Sequence, residues 1–425
     1  MSIPQNIIPN IIDQHSEEAA FLWGLRSTAV SAPHYSLQDL ADLDERVEAH
    51  IDGLRIAGKY GFEVCIKNLE YKAAGEMFAA GVLALENGDA DHLEPIYQLA
   101  ESEPEMIPGL ISAFGWVQPD QLQGKVSGLL ASKNPLWRRV GISACAIHRV
   151  DPGHYLEQAI EDGDVDLSCR AIRAAGELGR EDLKPILLHL IEDSDFKRKF
   201  WASWSTVLLG DRGKGLSQLK KIAGQKNGFE MIALPLAMRT LDESEIKKII
   251  GGLARQPDSL RIAVIASGLS GDSTYIPWLI QQLKIAVIAR VAGEAISLIT
   301  GIDIAYQDLE GESPEGFDAG PTENPEDEDV AMDLGEDLPW ADPVLVGQWW
   351  GQNQQDFHPG KRYLLGKPVS EKQCNIVLST GFQRQRKVAT LDLALMQPGA
   401  MLFETRAIGK RQQQRLIPIK NRSGS

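Results

Sequence analysis

Two histidine–carboxylate pairs are the first residues in this chain whose types and spacing could do chemistry. His15 and Glu18 stand three apart, and Glu45 and His50 fall on the next predicted helix, so the four could supply half of a carboxylate–histidine metal site. No His-Glu-x-x-His and no closed ligand set accompanies them, and surface or helix-packing roles are the simpler reading. Gly213-Lys214 follows Gly210 without the spacing of a phosphate-binding loop or a preceding strand. Gly268-Leu269-Ser270-Gly271 lacks the Gly-x-Ser-x-Gly order of a nucleophile elbow and lies at a predicted helix end. The cysteines Cys65, Cys145, Cys169 and Cys374 are far apart with no Cys-x-x-Cys, which points to buried reduced thiols. The expectation is a chain with no catalytic residues, no metal and no cofactor, and therefore not an enzyme.

The elements that would position any site are easier to read. Ala159-Ile160-Glu161-Asp162-Gly163-Asp164-Val165 recurs 31 residues later as Leu190-Ile191-Glu192-Asp193-Ser194-Asp195-Phe196, and Leu178-Gly179 recurs as Leu209-Gly210. A period near 30 marks stacked helix pairs, in which no unit buries its apolar face alone. Gly179, Gly210, Gly271 and Gly301 follow predicted helices, where glycine closes a helix in a left-handed turn. Residues 96–305 are therefore read as an α-solenoid. Its helices are rich in small residues, and Arg138, Arg139, Arg170, Arg198 and Arg261 near their starts are expected to bridge neighbours or pair with the turn acids.

Residues 1–95 read as a helical module that does not keep this repeat. One helix is expected from Ser16. A second opens at Ser36, where Asp39 three residues on makes a capping box and Leu37, Leu40, Leu43, Val47, Ile51 and Leu54 keep helical spacing. A third is expected over 73–85. Residues 306–342 hold 14 Asp+Glu and no base, which predicts an acidic disordered linker. Residues 343–425 read as a small basic helical module, with one helix over about 371–397; from residue 360 onward 13 Lys+Arg face only Glu371, Asp392 and Glu404. The rest of the chain is left at about −26. The basic tail could bind nucleic acid or an acidic partner, or dock within the chain on the acidic linker or the acidic solenoid and occupy a groove there. Trp340, Trp349 and Trp350 are expected to pack rather than form a patch.

The repeat pattern of acidic turn, arginine, Ala-rich helix and Leu-Gly ending resembles the HEAT-like repeat. Two further stretches, Gln14 to Gly58 and Ala292 to Ile304, and then the order of LPWADP, WW, FHPGKRYLLGKPV, GFQRQRKVATLDLALMQPG and LFETRA, resemble a bacterial family of HEAT-repeat proteins of undefined biochemical role. Members of that family are often encoded in type VI secretion gene clusters. The resemblance implies a cytoplasmic role beside the secretion machinery or its cargo, and no activity.

The net charge of −16 disfavours attraction to nucleic acid or anionic lipid, and no run of about 18 apolar residues predicts membrane insertion. The N-terminus lacks a secretory pattern, so a cytoplasmic location is the expectation. The chain is read as a noncatalytic protein-binding scaffold, adaptor or chaperone, with a secretion effector or spike component as partner. Arg198, Trp201, Trp204, Arg261 and Trp278 are the candidate partner-binding residues, as bulky or charged positions on helices otherwise built from small ones. An immunity protein that neutralises a neighbouring toxin is one alternative. A lyase or DNA glycosylase of HEAT-like type is another, disfavoured by the acidic body.

Overall fold

Ser36 caps its helix as the spacing requires. Its hydroxyl accepts from the Asp39 N–H at 3.2 Å, and the Asp39 carboxylate accepts from the Ser36 N–H at 2.8 Å. The computed structural model describes residues 7–314, 317 and 335–423, and these are all-α apart from one short hairpin and isolated bridges. The described residues form two compact units. The first holds 7–31, 35–183 and 403–423, and the second holds 32–34, 184–314, 317 and 335–402.

The first unit begins with α1 (Pro9–Ala29), α2 (Leu37–Ile56), α3 (Lys59–Asn68), α4 (Ala74–Asn87) and α5 (Ala90–Ser102). It continues with α6 (Ile107–Trp116), α7 (Lys125–Leu130), α8 (Pro135–His148), α9 (His154–Ile160) and α10 (Val165–Glu177). The helix expected from Ser16 begins seven residues earlier, with Pro9 at its first position. Ser16 is buried inside it, its hydroxyl 3.6 Å from Cys65 and accepting from Asn68. Helices α1, α4, α6, α8 and α10 pack side by side in that order. Met77, Phe78, Leu110, Phe114 and Val140 are buried between them. The approach is close enough that a Cβ at Gly109 would sit 1.9 Å from the Ala74 carbonyl oxygen. Glycine there is a packing requirement.

The repeat is a repeated hydrogen-bond scheme. Asp164 and Asp195 each cap a helix, accepting from the Leu167 and Arg198 N–H at 2.8 and 2.9 Å. Two residues earlier, Asp162 and Asp193 accept from the N–H of Asp164 and Asp195 at 2.9 and 2.7 Å. Gly179, Gly210, Gly271 and Gly301 all take positive φ, between 70° and 88°.

The second unit holds α11 (Lys184–Leu190), α12 (Phe196–Leu208), α13 (Lys214–Ala223), α14 (Glu230–Thr240), α15 (Glu243–Ala254) and α16 (Leu260–Ser270). It continues with α17 (Ile276–Gln282), α18 (Ala286–Thr300), α19 (Pro343–Asn353), α20 (Glu371–Thr380) and α21 (Gln383–Met396). Helices α12, α14, α16 and α18 contact in sequence. Between α19 and α20, β1 (Tyr363–Leu364) and β2 (Lys367–Pro368) form an antiparallel hairpin, Tyr363 opposite Pro368 and Leu364 opposite Lys367. The hairpin is anchored by the Tyr363 N–H on the Gly271 carbonyl at 2.8 Å and the Leu365 N–H on Leu298 at 2.9 Å. The single helix expected over 371–397 is two. Gly381 is extended, its N–H closing α20 on the Val377 carbonyl, and the buried Arg386 of α21 donates back to the Leu378 carbonyl at 2.8 Å.

Of the acidic segment 306–342, residues 315, 316 and 318–334 lie outside the described residues. Its described ends pair with each other, the Gly311 N–H on the Trp340 carbonyl at 2.7 Å and the Asp342 N–H on Leu309 at 2.9 Å. Arg290 of α18 donates to the Glu336 carbonyl at 2.7 Å and lies 4.5 Å from the Trp340 ring centroid, a cation–π contact. Trp349 and Trp350 pack partly buried on an apolar cluster that includes Val291, Ile296 and Val346.

The residues read as one basic module, 343–425, contribute to both units. Those from 403 onward, ending in α22 (Gly409–Ser423), lie on α2 of the first unit. Gly409 makes this possible, because a Cβ would meet Ala41 Cα at 2.6 Å, and its N–H donates to Asp44 at 2.7 Å.

Candidate functional site

Helices α1, α4, α6, α8 and α10 each turn side chains toward a cavity of about 420 Å³ in the first unit, and residues 404–408 close one side of it. Trp23, Phe78 and Trp116 supply an aromatic wall, and Arg26, Arg170, Arg173 and Arg406 the charge. Sequence reading counted Arg170 as a bridging residue and did not bring the others to it, because the six contributing segments are separated from one another by tens of residues or more. The only local signal is Arg170-x-x-Arg173-x-x-x-Glu177, one face of one helix.

That face organises a network. Arg170 donates to Glu177 at 3.1 Å and to the Ser143 hydroxyl at 3.1 Å, while Arg173 donates to the other oxygen of Glu177 at 2.8 Å. From the C-terminal segment, Glu404 accepts from the Arg406 side chain at 3.1 and 3.3 Å and pairs with Arg149 at 3.3 Å. Glu177 and Glu404 are 2% and 5% exposed as side chains. Four guanidiniums therefore share two buried carboxylates, an excess of two positive charges inside a chain of net charge −16. Burial alone would raise the Glu177 carboxyl, but Arg173, Arg170 and Arg149 outweigh it and hold it at about 2. Glu404 is also held well below its usual range; burial opposes this, and Arg406 and Arg149 overcome it.

The C-terminal segment is tied down along its length. Arg26 donates to the Arg406 and Ala407 carbonyls at 3.1 and 3.2 Å while its fork engages Asp44. Arg411 donates to the Gly115 carbonyl at 2.9 Å, Arg415 to the His148 carbonyl at 3.1 Å, and Lys410 pairs with Glu45 at 3.0 Å. His148 is buried, its Nε2 2.7 Å from the Phe114 carbonyl and its Nδ1 3.4 Å from Arg411. Burial first, with Arg411 and Arg415, lowers its pKa against the opposing hydrogen bond to Phe114.

These shifts fix a pH dependence. A histidine whose folded pKa is depressed destabilises the fold as pH falls below about 6.5, because only the unfolded chain takes up the proton. A depressed carboxylate adds stability above its ordinary pKa near 4.5 that is lost as pH falls toward the folded value. The first unit is therefore expected to weaken in two stages, modestly below pH 6.5 and then by about 3 kcal/mol for Glu177 between pH 4.5 and 2. Urea unfolding across that range checks it, and a midpoint flat from pH 7 to 3 would count against it.

The five predicted partner-binding residues lie in the second unit. Arg198, Trp201 and Trp204 are on α12, where Trp204 is buried, the two indoles stand edge to face at 5.7 Å, and Arg198 lies 3.9 Å from Asp193. Arg261 is on α16 and donates to the Val287 carbonyl at 3.1 Å. Trp278 is on α17, packed on the cluster that holds Trp349. The structure thus joins Trp201 to Trp204 and places Arg261 and Trp278 on other helices.

His15 and His50 meet Nδ1 to Nδ1 at 3.1 Å, while Glu45 engages Lys410. Among the described residues no group of three or more His, Cys, Asp or Glu could hold a metal ion. All four cysteines are buried and none is in a disulfide, and burial pushes the Cys65 and Cys145 thiols up to about 11 and Cys374 to about 12. No helix of the described residues is long and apolar enough to cross a membrane. The chain matches no protein-family model, and the search of curated proteins finds no match to it.

Proposed function

We propose that this chain is a noncatalytic scaffold or adaptor built on HEAT-like repeats, which holds a protein partner in the cytoplasm. The observation that carries this reading is the ordered contact of non-consecutive helices, α1-α4-α6-α8-α10 in one unit and α12-α14-α16-α18 in the other. Such rows present long side-chain faces on a rigid support, which suits partner binding. The recurring aspartate turns and left-handed glycines support the repeat reading. The sequence resemblance points to a type VI secretion effector or spike component as the partner, with the acidic body steering a partner that carries basic patches. Arg198, Trp201, Trp204, Arg261 and Trp278 remain the proposed contact residues.

Affinity capture of the tagged chain from its native host at moderate salt, with mass spectrometry of what co-elutes, tests this. A spike component or effector in stoichiometric amount is expected. Capture of nucleic acid, or of no protein in stoichiometric amount, would overturn the scaffold reading. If the captured protein is a toxin whose activity the complex abolishes, the role is immunity rather than delivery.

A further inference from the structure

We propose that the cavity of the first unit binds a phosphomonoester, a dianionic phosphoryl group on a small organic body, between Arg170 and Arg173 of α10 and Arg406 of the C-terminal segment. This is separate from the partner-binding reading and stands on three features of one site.

The first is charge. Arg149, Arg170, Arg173 and Arg406 gather around the buried carboxylates of Glu177 and Glu404; Arg170, Arg173 and Arg406 line the cavity, and Arg173 and Arg406 keep 31% and 44% of their side chains exposed. Burial, and then the nearby Arg406 and Arg170, lower the Arg173 pKa against the pull of Glu177 and Glu404. A dianion entering the cavity would meet these guanidiniums and balance their charge.

The second is shape of charge. Guanidinium forks present paired N–H donors that suit the oxygens of a phosphoryl group. Arg170 and Arg406 lie on opposite carboxylates of the network, and Ser27 and Ser112 add hydroxyls to the lining. The third is room. A volume of about 420 Å³ falls in the range of small-molecule sites and exceeds what a bare phosphate fills. The wall formed by Trp23, Phe78 and Trp116 would pack the organic body.

Because Arg406 belongs to the segment that closes the cavity, binding is linked to docking of that segment. A ligand that requires the closed form stabilises it by mass action.

The test is calorimetric titration of inorganic phosphate, then phenyl phosphate, into the full chain at pH 8, against chloride at matched ionic strength. Saturable binding at one site per chain is expected for both, with phenyl phosphate the tighter. Arg170→Gln and Arg406→Gln should each weaken it about tenfold or more, and Arg406→Lys, which keeps the charge but loses the fork, by less. Chloride giving the same heat, or Arg170→Gln binding as the parent does, would overturn the proposal. Should the variants fail to fold, hydrogen exchange of the parent chain decides. Phosphate must slow exchange selectively in α10 and residues 404–408; slowing spread evenly over the first unit, or none, would overturn it.

Discussion

Glu177→Gln is expected to cost the first unit about 3–5 kcal/mol, because it removes the carboxylate that Arg170 and Arg173 share while leaving both guanidiniums in place. The side chain is 2% exposed, so water cannot replace the lost charge without opening the helix row. Glutamine keeps the volume and can accept one hydrogen bond, which isolates charge from packing. The excess of two positive charges becomes three. Hydrogen exchange across a urea gradient, read on peptides of α8 and α10, reports the unit's own transition. A shift below about 1 kcal/mol would show that the network is solvated in practice. The companion Arg173→Met should cost less, because it lowers the charge excess even as it breaks a pair.

A second large effect is expected in the other unit. Arg239 of α14, fully buried as a side chain, donates both fork nitrogens to Asp392 of α21, and its remaining nitrogen reaches the Leu269 carbonyl at 3.1 Å. Asp392→Asn leaves that guanidinium with a neutral partner and should cost about 3–5 kcal/mol. Exchange should accelerate in α14 and α21 before it does in α18. Equal acceleration throughout the unit would mean that the pair is not the local tie between those helices. Arg239→Met with Asp392→Leu should recover much of the loss, since an apolar pair of similar volume avoids desolvating either charge.

What could be read from the sequence divides along the range of the interaction. The Ser36–Asp39 box, the caps at Asp164 and Asp195 and the glycine closures are contacts within a few residues, and each was legible from residue type and spacing. Start points governed by packing were not. Ser16 resembles a cap, but the apolar stripe continues back through Ile12, and Pro9 is compatible with a first turn. Gly381 marked a break inside an otherwise continuous helical pattern, and glycine in such a pattern is a weak signal until a buried arginine needs the freed carbonyls.

The arginine site was legible least of all. Glu177 sits in an Ala-rich helix whose small residues drew the reading toward helix stacking. Glu404 and Asp392 were counted as exceptions in a basic stretch, yet each is the buried partner of an arginine in its own unit. Lys410 pairs with Glu45 of α2, outside both the acidic linker and the repeats to which charge was expected to bring the basic tail. Arg411 and Arg415 instead reach backbone carbonyls of α6 and α8, which composition cannot reveal.

The most direct measurement is hydrogen–deuterium exchange of the full chain at pH 7 on peptides covering residues 403–417. If this segment completes the first unit, its amides should exchange as slowly as those of α2 and α8, and Gly409→Val should free them while leaving α14 and α16 unchanged. Exchange at the rate of an unstructured peptide in the parent chain would contradict the closed site, and with it the cavity on which the phosphomonoester proposal stands.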